Sequence, residues 1–588
     1  MSLLSDLSQR FGDAYEAVGL DRSAGEVLPS QRPELAQFQN NGAMAAAKRE
    51  GKAPRDLALE ILDALSDREP FSDLSVAGPG FINISVTDGY LASFVQAMED
   101  DDRLGVPATA DPQTVVVDYG GPNMSKALHV GHLRAAIIGE SLKRLFRFLG
   151  HRVYGDIHMG DWGMPVGQLI IELGRRRPDL PYFDPDFTGV YPDESPVTLD
   201  DLSEMYPVVV ERCKEDPAEA ERARLATMEL QQGHPGYRAL WQHFHDTSVA
   251  GQRKDFDALG VEFDLYWGES TVQDRLEAMI GRLREDGVAR ESDGALIVDV
   301  AAPDDTKDVP PLLLTRSDGS ALYSTTDLAT VEARVEELGA NVVLYVVDNR
   351  QSLHFDQVFR AARKAGIAPD DVVLEHIAFG TVNGPDGKPF KTREGGVLQL
   401  EDLIDLVTDA ARRRLEAADI AQDYPAAERA AIATQVGLAA LKFGDLSNHR
   451  TSNYVFDLDR FASFEGKTGP YLQYGAVRIR SILRNAAERG HQPGPIIPPV
   501  NDAERRLMLR LVRLPEVVQR AADLRAPNVL TEFAYELVGE LNRFYEANHI
   551  LREQDEARQS SWLSLVDLTL RVLAQLLDLL GIDVPERM

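Results

Sequence analysis

The spacing of apolar residues changes along this chain, and each change marks a different kind of architecture. Up to about residue 110, amphipathic helical segments are mixed with a short β-like run, Gly78-Pro79-Gly80-Phe81-Ile82-Asn83-Ile84-Ser85-Val86. No helix-opening third glycine follows its Gly-x-Gly, so the run predicts a turn into a strand and not a dinucleotide loop. From about 113 the pattern becomes strand, helix, strand: Val115-Val116-Val117, then helical spacing through Ala135-Ala136-Ile137-Ile138, then 152–157. That is the first half of a nucleotide-binding α/β fold. The second half resumes at 341–348, a near-continuous apolar run suited to a parallel strand covered on both faces. Helix 355–365 and strand 371–377 follow it. Residues 175–290 are charged, helical and punctuated by Pro178, Pro181, Pro185, Pro192 and Pro196, which predicts an insertion between the halves. Beyond about 400, helical periodicity runs on, broken near 490–499 and at Gly581. The fold class is therefore α/β: an N-terminal α+β domain over 1–110, a Rossmann-type domain over 111–400 with the 175–290 insertion, and an all-α region over 401–588.

Composition narrows the classes. With 44% hydrophobic residues, a chain of 588 can bury several cores. No run of 18 apolar residues occurs, and Met1-Ser2-Leu3-Leu4-Ser5-Asp6 has no basic segment ahead of an apolar one. Neither a membrane span nor a signal peptide is expected, and the chain reads as a cytoplasmic protein. Cys213 is the only cysteine, which excludes an intrachain disulfide and a cysteine-rich zinc knuckle. His243-Phe244-His245-Asp246 has no further ligand cluster beside it, so no protein metal site is expected. A formal charge of -32 is unfavourable for holding a polyanion. Charges farther apart than ~10 Å are largely screened at 0.1 M salt, however, so a local basic or stacking surface still suffices. Only 12 of the 62 basic residues are lysine, and low lysine with excess carboxylate suits a salt-adapted cytoplasm. A fall of both stability and turnover on raising KCl would overturn that hypothesis.

The chemistry concentrates in Asp118-Tyr119-Gly120-Gly121-Pro122-Asn123-Met124-Ser125-Lys126-Ala127-Leu128-His129-Val130-Gly131-His132-Leu133-Arg134. Two histidines three apart fall on the first turn of a predicted helix, where free N–H groups and the positive dipole end suit a phosphate. Gly131 has no Cβ and leaves room for a flat adenine ring. The stretch resembles the HIGH signature of class I aminoacyl-tRNA synthetases. Its flanks resemble the Pro-Asn-x-x-Lys-x-x-His-Val-Gly-His-Leu-Arg run of the arginyl-tRNA synthetases. The loop Gly387-Lys388-Pro389-Phe390-Lys391-Thr392-Arg393-Glu394-Gly395-Gly396 resembles that family's degenerate KMSKS loop. Which lysine replaces the second signature lysine stays open, and the resemblance lets Lys126 share the work.

What the resemblance implies can be given residue by residue. His129, His132, Lys126, Lys388 and Lys391 would be catalytic, and Val130, Gly131, His132, Gly160, Asp161, Gln351 and His354 would meet ATP. Asp118, Asn123, Tyr323, Asp327 and Gln351 would hold arginine, with Tyr323 and Asp327 on its guanidinium. Gly160-Asp161-Trp162-Gly163 is similar to the family's Gly-Asp-Trp-Gly, but Met164-Pro165 stands where many members have Thr-Gln, so one glutamine contact is missing. Phe38, Gln39 and Asn40 lie where the family's N-terminal domain meets the tRNA elbow. Residues 444–450 and 464–474 resemble the arginyl anticodon-binding region, and Tyr471, Tyr474, Tyr545, His549 and Met588 are the candidates for tRNA contact there. Gly466-Lys467-Thr468 is no P-loop, because Phe461 stands where the first glycine is required. The implied activity is arginine–tRNA ligation by a monomer, with ATP and Mg²⁺, and with tRNA bound before activation. A nucleotidyltransferase that adenylates a small acid is the first rival, but it has no need of the C-terminal helices. A binding protein without catalysis is the second, and His129, His132 and the lysine loop argue against it.

Overall fold

The computed structural model describes residues 2–588 apart from 33, 318, 385, 386 and 388–397. Two compact units form: one from Met1–Thr109, Phe464–Asp578 and Asp583–Met588, the other from Ala110–Ser463 and Leu579–Ile582.

The second unit is built on a parallel sheet of β1 (Thr114–Tyr119), β2 (Arg152–Asp156), β3 (Val342–Val346) and β4 (Val373–His376), in the order β4-β3-β1-β2. Register aligns Asp118 of β1 with Tyr345 of β3 on one side and with Asp156 of β2 on the other. Val115, Val116 and Val117 are fully buried, which accounts for the unbroken apolar run: helices cover both faces of this sheet. The chain passes from β1 to β2 on one side and later returns to β3 on the other. The crevice at the carboxyl ends of β1 and β3 is therefore a topological switch point, where α/β sheets take ligands.

The signature helix, α1 (Val130–Phe148), crosses from β1 to β2. It packs so closely that a Cβ on Gly139 would lie 2.2 Å from the Tyr119 ring, and Tyr119 Oη donates to Glu140 over 2.8 Å. Helix α2 (Met164–Arg176), which precedes the insertion, packs with the insertion's helices Leu199–Glu215, Pro217–Gln231 and α3 (Pro235–Ala258) around one core that includes Trp162, Leu169, Leu202, Leu230 and Phe244. A three-stranded antiparallel sheet (Ala289–Ser292, Ala295–Val298, Leu312–Thr315) then leads into α4 (Tyr323–Leu338), and α5 (Ser352–Lys364) follows β3. Helices α6 (Leu400–Ala417) and α7 (Ala426–Leu446) belong to this same unit, as does a short parallel pair, β5 (Val382–Asn383) with β6 (Tyr454–Val455). Leu579–Ile582 return to it: Ser141 Oγ donates to the Leu579 carbonyl over 2.8 Å, and the Lys442 ammonium to that of Gly581.

In the first unit, Val27–Pro29, Phe38–Asn40, Phe81–Val86 and Phe71–Ala77 form an antiparallel sheet in that order. It carries the strand expected after Gly80. Helices Gly469–Glu488, Asp502–Leu511, Leu514–Asp523, Asn528–Ala547 and Glu556–Leu579 make up the helical part. Among the described residues no helix is long and apolar enough to cross a membrane.

Candidate active site

The loop between β1 and α1 is held from behind by the insertion. Ser125, with φ 70°, donates its N–H to Ser248 Oγ of α3 over 3.0 Å. Gln252, one turn further along α3, donates to the carbonyls of Asn123 (3.0 Å) and Lys126 (3.2 Å). The Pro-Asn turn is also stitched to the segment after β2, since the Met124 N–H bonds to the Gly160 carbonyl over 3.0 Å. Asn123 is exposed, and its Oδ1 occupies the space that a Cβ on Gly160 would fill.

His129 is the N-cap of α1. Its Nδ1 accepts from the Gly131 N–H (3.0 Å), and His132 Nδ1 accepts from the His129 N–H (3.1 Å), a reciprocal cap with the two rings 4.1 Å apart. Burial, then the charge of Lys126, holds the His129 imidazole below its usual range. Burial and His129 push His132 down to about 3. Two neutral imidazoles that accept at Nδ1 must carry their protons at Nε2, so each offers a single aimed donor. Gly131 is exposed, and the space its missing Cβ leaves is taken by the His129 ring. The Val130 N–H is bonded to the Leu398 carbonyl over 3.0 Å. The ammonium of half-buried Lys126 lies 5.1 Å from the centre of the Tyr206 ring. Lys388 and Lys391 lie outside the described residues.

A second group gathers around the start of α4. Ser324 and Thr325 hydroxyls bond the carbonyls of Leu313 and Leu314, which pins the helix start to its preceding strand. Tyr323, 58% exposed, and Asp327 then share a helix face, as their spacing requires. His354 Nε2 of α5 is 2.6 Å from Asp327 Oδ2, and its ring centre is 4.7 Å from that of Tyr323. Gln351 is exposed at the N-cap of α5. Residues 265–269 run beside 157–159, joined by Ile157 to Leu265 (3.2 Å), Met159 to Trp267 (2.8 Å) and Glu269 to Met159 (3.1 Å) backbone bonds. That pairing delivers Glu269, which sequence reasoning missed because nothing local to it marks a site. Burial and the charges of Asp327 and Asp161 push the Glu269 carboxyl up to about 8. A half-buried carboxyl held near two carboxylates is an electrostatic seat for a cation.

Four expected contacts need correction, each because the side chain is already engaged inside the fold. Asp118, 6% exposed, is ion-paired over 2.7 Å with Arg334 of α4, whose guanidinium also reaches Asp156. Against burial, Asp118 and Asp156 hold Arg334 well above its usual range, so Asp118 already has its arginine. Asp118, Asp156 and His158 also have the closeness of a metal-ligand group, but Arg334 compensates the two carboxylates. Fully buried Asp161 accepts from the Ser270 N–H (3.0 Å) and Oγ (2.5 Å), which braces the turn carrying Glu269. Phe38 is in the core, and fully buried Asn40 bonds Tyr15 Oη and the carbonyls of Ala24 and Glu26, each at 2.8 Å. Gln39 is half-buried and donates to Asn83 Oδ1 over 3.1 Å.

In the helical part, Tyr471 Oη accepts from Asn542 Nδ2 over 3.0 Å, and its ring is 5.7 Å from that of Tyr535. Arg478 bonds Asn542 Oδ1 (3.4 Å) and lies 4.2 Å from the centre of the Tyr545 ring. This makes one aromatic and cationic cluster, of which sequence reasoning had named Tyr471 and Tyr545 but not Tyr535, Arg478 or Asn542. Tyr474 and His549 are exposed, and Met588 is half-buried.

A Rossmann-type sheet whose switch point meets a histidine-capped helix suits a nucleotide, and similarity to a family model places this chain among the class I tRNA synthetases. The family model described as tRNA synthetases class I (R), catalytic domain, matches residues 94–458; the DALR anticodon binding domain matches 472–588 and the Arginyl tRNA synthetase N terminal domain 4–86. Relatives named arginine–tRNA ligase, from Alkaliphilus oremlandii and Maricaulis maris, are each 49% identical over 100% of both chains. The chain belongs to the arginine–tRNA ligase family. Its fold is that of the arginyl-tRNA synthetases of Plasmodium falciparum (TM-score 0.82, 23% identity, 100% of this chain and 99% of the other) and Thermus thermophilus (0.80, 24%, 100% of both).

Proposed function

We propose that the chain joins L-arginine to tRNA(Arg) in two steps at the crevice between β1 and β3. In the first, the arginine carboxylate attacks the α-phosphorus of ATP, taken as its Mg²⁺ complex. An O–P bond forms, the bond to the β-phosphate bridge breaks, and pyrophosphate leaves. In the second, the 2′-hydroxyl of the terminal adenosine attacks the arginyl carbonyl, and AMP departs. The Nε2–H donors of His129 and His132 meet charge developing on the α-phosphate, and Lys126, Lys388 and Lys391 offset the charge passing to pyrophosphate. Asn123 takes the α-amino end of arginine, while Tyr323, Asp327 and Glu269 take its guanidinium. Gln351 and His354 complete the wall between arginine and adenosine. The observation that carries this reading is Glu269 beside Asp327: two carboxyls near each other, one of them lifted to about 8, leave a place that a guanidinium fills.

The same reading assigns 1–110 to the tRNA elbow, through the exposed part of Gln39 and its neighbours, and the Tyr471–Arg478–Tyr545 cluster with Tyr474, His549 and Met588 to the anticodon. It also assigns the enzyme to the cytoplasm as a monomer, which light scattering checks. The decisive assay is ATP–pyrophosphate exchange with L-arginine, with and without tRNA(Arg), beside transfer of labelled arginine to that tRNA. Exchange that requires tRNA, together with charging, is expected. No exchange under any salt or tRNA condition would overturn the reading.

A further inference from the structure

The face that α3 turns towards the loop of Asn123 and Lys126 carries polar side chains, and nothing in the two-step reaction calls for them. Trp241, His245, Ser248 and Gln252 follow one another at spacings of four, three and four, which sets them in one stripe along the helix. The Trp241 indole N–H donates to the Asp161 carbonyl over 2.8 Å, and His245 Nε2 lies 4.0 Å from Asp161 Oδ2. Ser248 Oγ accepts from the Ser125 N–H over 3.0 Å and donates to the Phe244 carbonyl over 2.6 Å. Gln252 Nε2 donates to the carbonyls of Asn123 (3.0 Å) and Lys126 (3.2 Å). The two gripped segments are also bonded to each other, Met124 N–H to the Gly160 carbonyl (3.0 Å) and Gly160 N–H to that of Pro122 (3.2 Å). Asp161 in turn receives the N–H of Ser270, beside Glu269, over 3.0 Å. Both ends of the proposed arginine seat, Asn123 at one and Glu269 at the other, are thus referred to one helix face.

Two features set this stripe apart from ordinary packing. Ser248 and Gln252 are fully buried, and Gln252 Oε1 has no hydrogen-bond partner among the described residues, so the amide serves through its two donors while its acceptor goes unmet. Buried polar groups are rarely left in that state, and an apolar side chain of similar volume would avoid it. Ser125 has φ 70°, a left-handed conformation that a serine keeps only where its surroundings hold it. Its own hydroxyl is buried and likewise without a partner among the described residues, so the backbone bond to Ser248, not the Ser125 side chain, holds that conformation. Grips on the backbone alone fix where Asn123 and Lys126 start and leave their side chains for ligands. We infer that α3 of the insertion is the template of the arginine seat, with Gln252 as a positioning residue for Asn123 and Lys126. This rests on the ligase reading above.

Gln252→Met tests it, because length and volume stay close while both donors go. Asn123 holds bound arginine, whereas Lys126 meets charge that develops only on the way to pyrophosphate. In tRNA-supported exchange the arginine KM should therefore rise and kcat fall, each by about tenfold, with the KM for ATP unchanged. A purely structural loss of folded enzyme lowers kcat and leaves both KM values alone. Double-mutant cycles divide the two effects. With Lys126 already alanine, Gln252→Met should still raise the arginine KM but no longer lower kcat; with Asn123 already alanine, it should lower kcat but no longer raise that KM. Either penalty persisting in full in its own background overturns the inference, as does a fall in kcat with both KM values unchanged. If Gln252→Met fails to fold, Ser248→Ala, which frees the Ser125 N–H, goes through the same cycles and decides alone. An inactive parent enzyme overturns the ligase reading itself, whereas an active parent with an unaffected Gln252→Met variant overturns only the positioning role.

Discussion

The His129 ring accepts from the Gly131 N–H and the His132 ring from the His129 N–H, so neither depends on substrate for its tautomer. Both are held below their usual range, His132 down to about 3, so near neutral pH they present N–H donors and add no charge to the site. His132→Ala should slow arginine-dependent pyrophosphate exchange by about 100- to 1000-fold, the usual loss for one pre-aimed donor to a developing oxyanion. An alanine variant near the parental rate removes His132 from the mechanism. Glu269 behaves in the opposite way. In the free enzyme its carboxyl is pushed up to about 8, first by burial and then by Asp327 and Asp161. An incoming guanidinium favours the ionised form, so below that pH arginine must displace a proton as it binds. The arginine KM should therefore fall as pH rises from 6 towards 8, by up to about tenfold per unit, and level off above. Glu269→Gln should flatten that dependence; a profile identical to the parent's would show that some other group sets it.

At the scale of elements, the signature helix owes its place to a missing atom. A Cβ on Gly139 would meet the base of the Tyr119 side chain, which is fully buried and cannot turn away. Gly139→Ala gains up to about 1 kcal/mol in helix propensity but overpacks a fixed contact, at a cost of ~1–3 kcal/mol or more. The net expectation is a lower melting temperature and weaker exchange; a variant that melts above the parent would mean the helix can shift outward freely. Elements of this kind were legible from sequence because the information is local: three valines, a glycine break, then helical spacing. Tyr323 and Asp327 were legible through their resemblance to the family's Tyr-x-x-x-Asp pattern, and the structure sets them four apart on one helix. Arg334 was not, because its partner Asp118 is 216 residues away, and nor was Arg134, whose carbonyl partner on Ser452 is 318 away. Asn40 was named only because 38–40 lie where the chain is similar to the family; here its side chain satisfies two buried carbonyls.

At the scale of the whole molecule, the acidity of the chain and its proposed polyanionic partner are reconciled by small local surfaces. Arg478 over the Tyr545 ring is one such surface, and base stacking on aromatic rings is worth ~1–3 kcal/mol per base. Tyr545→Ala should raise the KM for tRNA by about tenfold or more in charging while leaving the arginine KM unchanged. If both constants move together, or neither does, the cluster is structural. The assembly also has a history written into it. Ser141, in the middle of the signature helix, is bonded to the carbonyl of Leu579, 438 residues further along the chain. At synthesis rates of about 5–20 residues per second, the histidine-bearing helix waits roughly 20 to 90 s on the ribosome before that partner emerges. During that interval the Ser141 hydroxyl is without the carbonyl that it bonds in the finished fold.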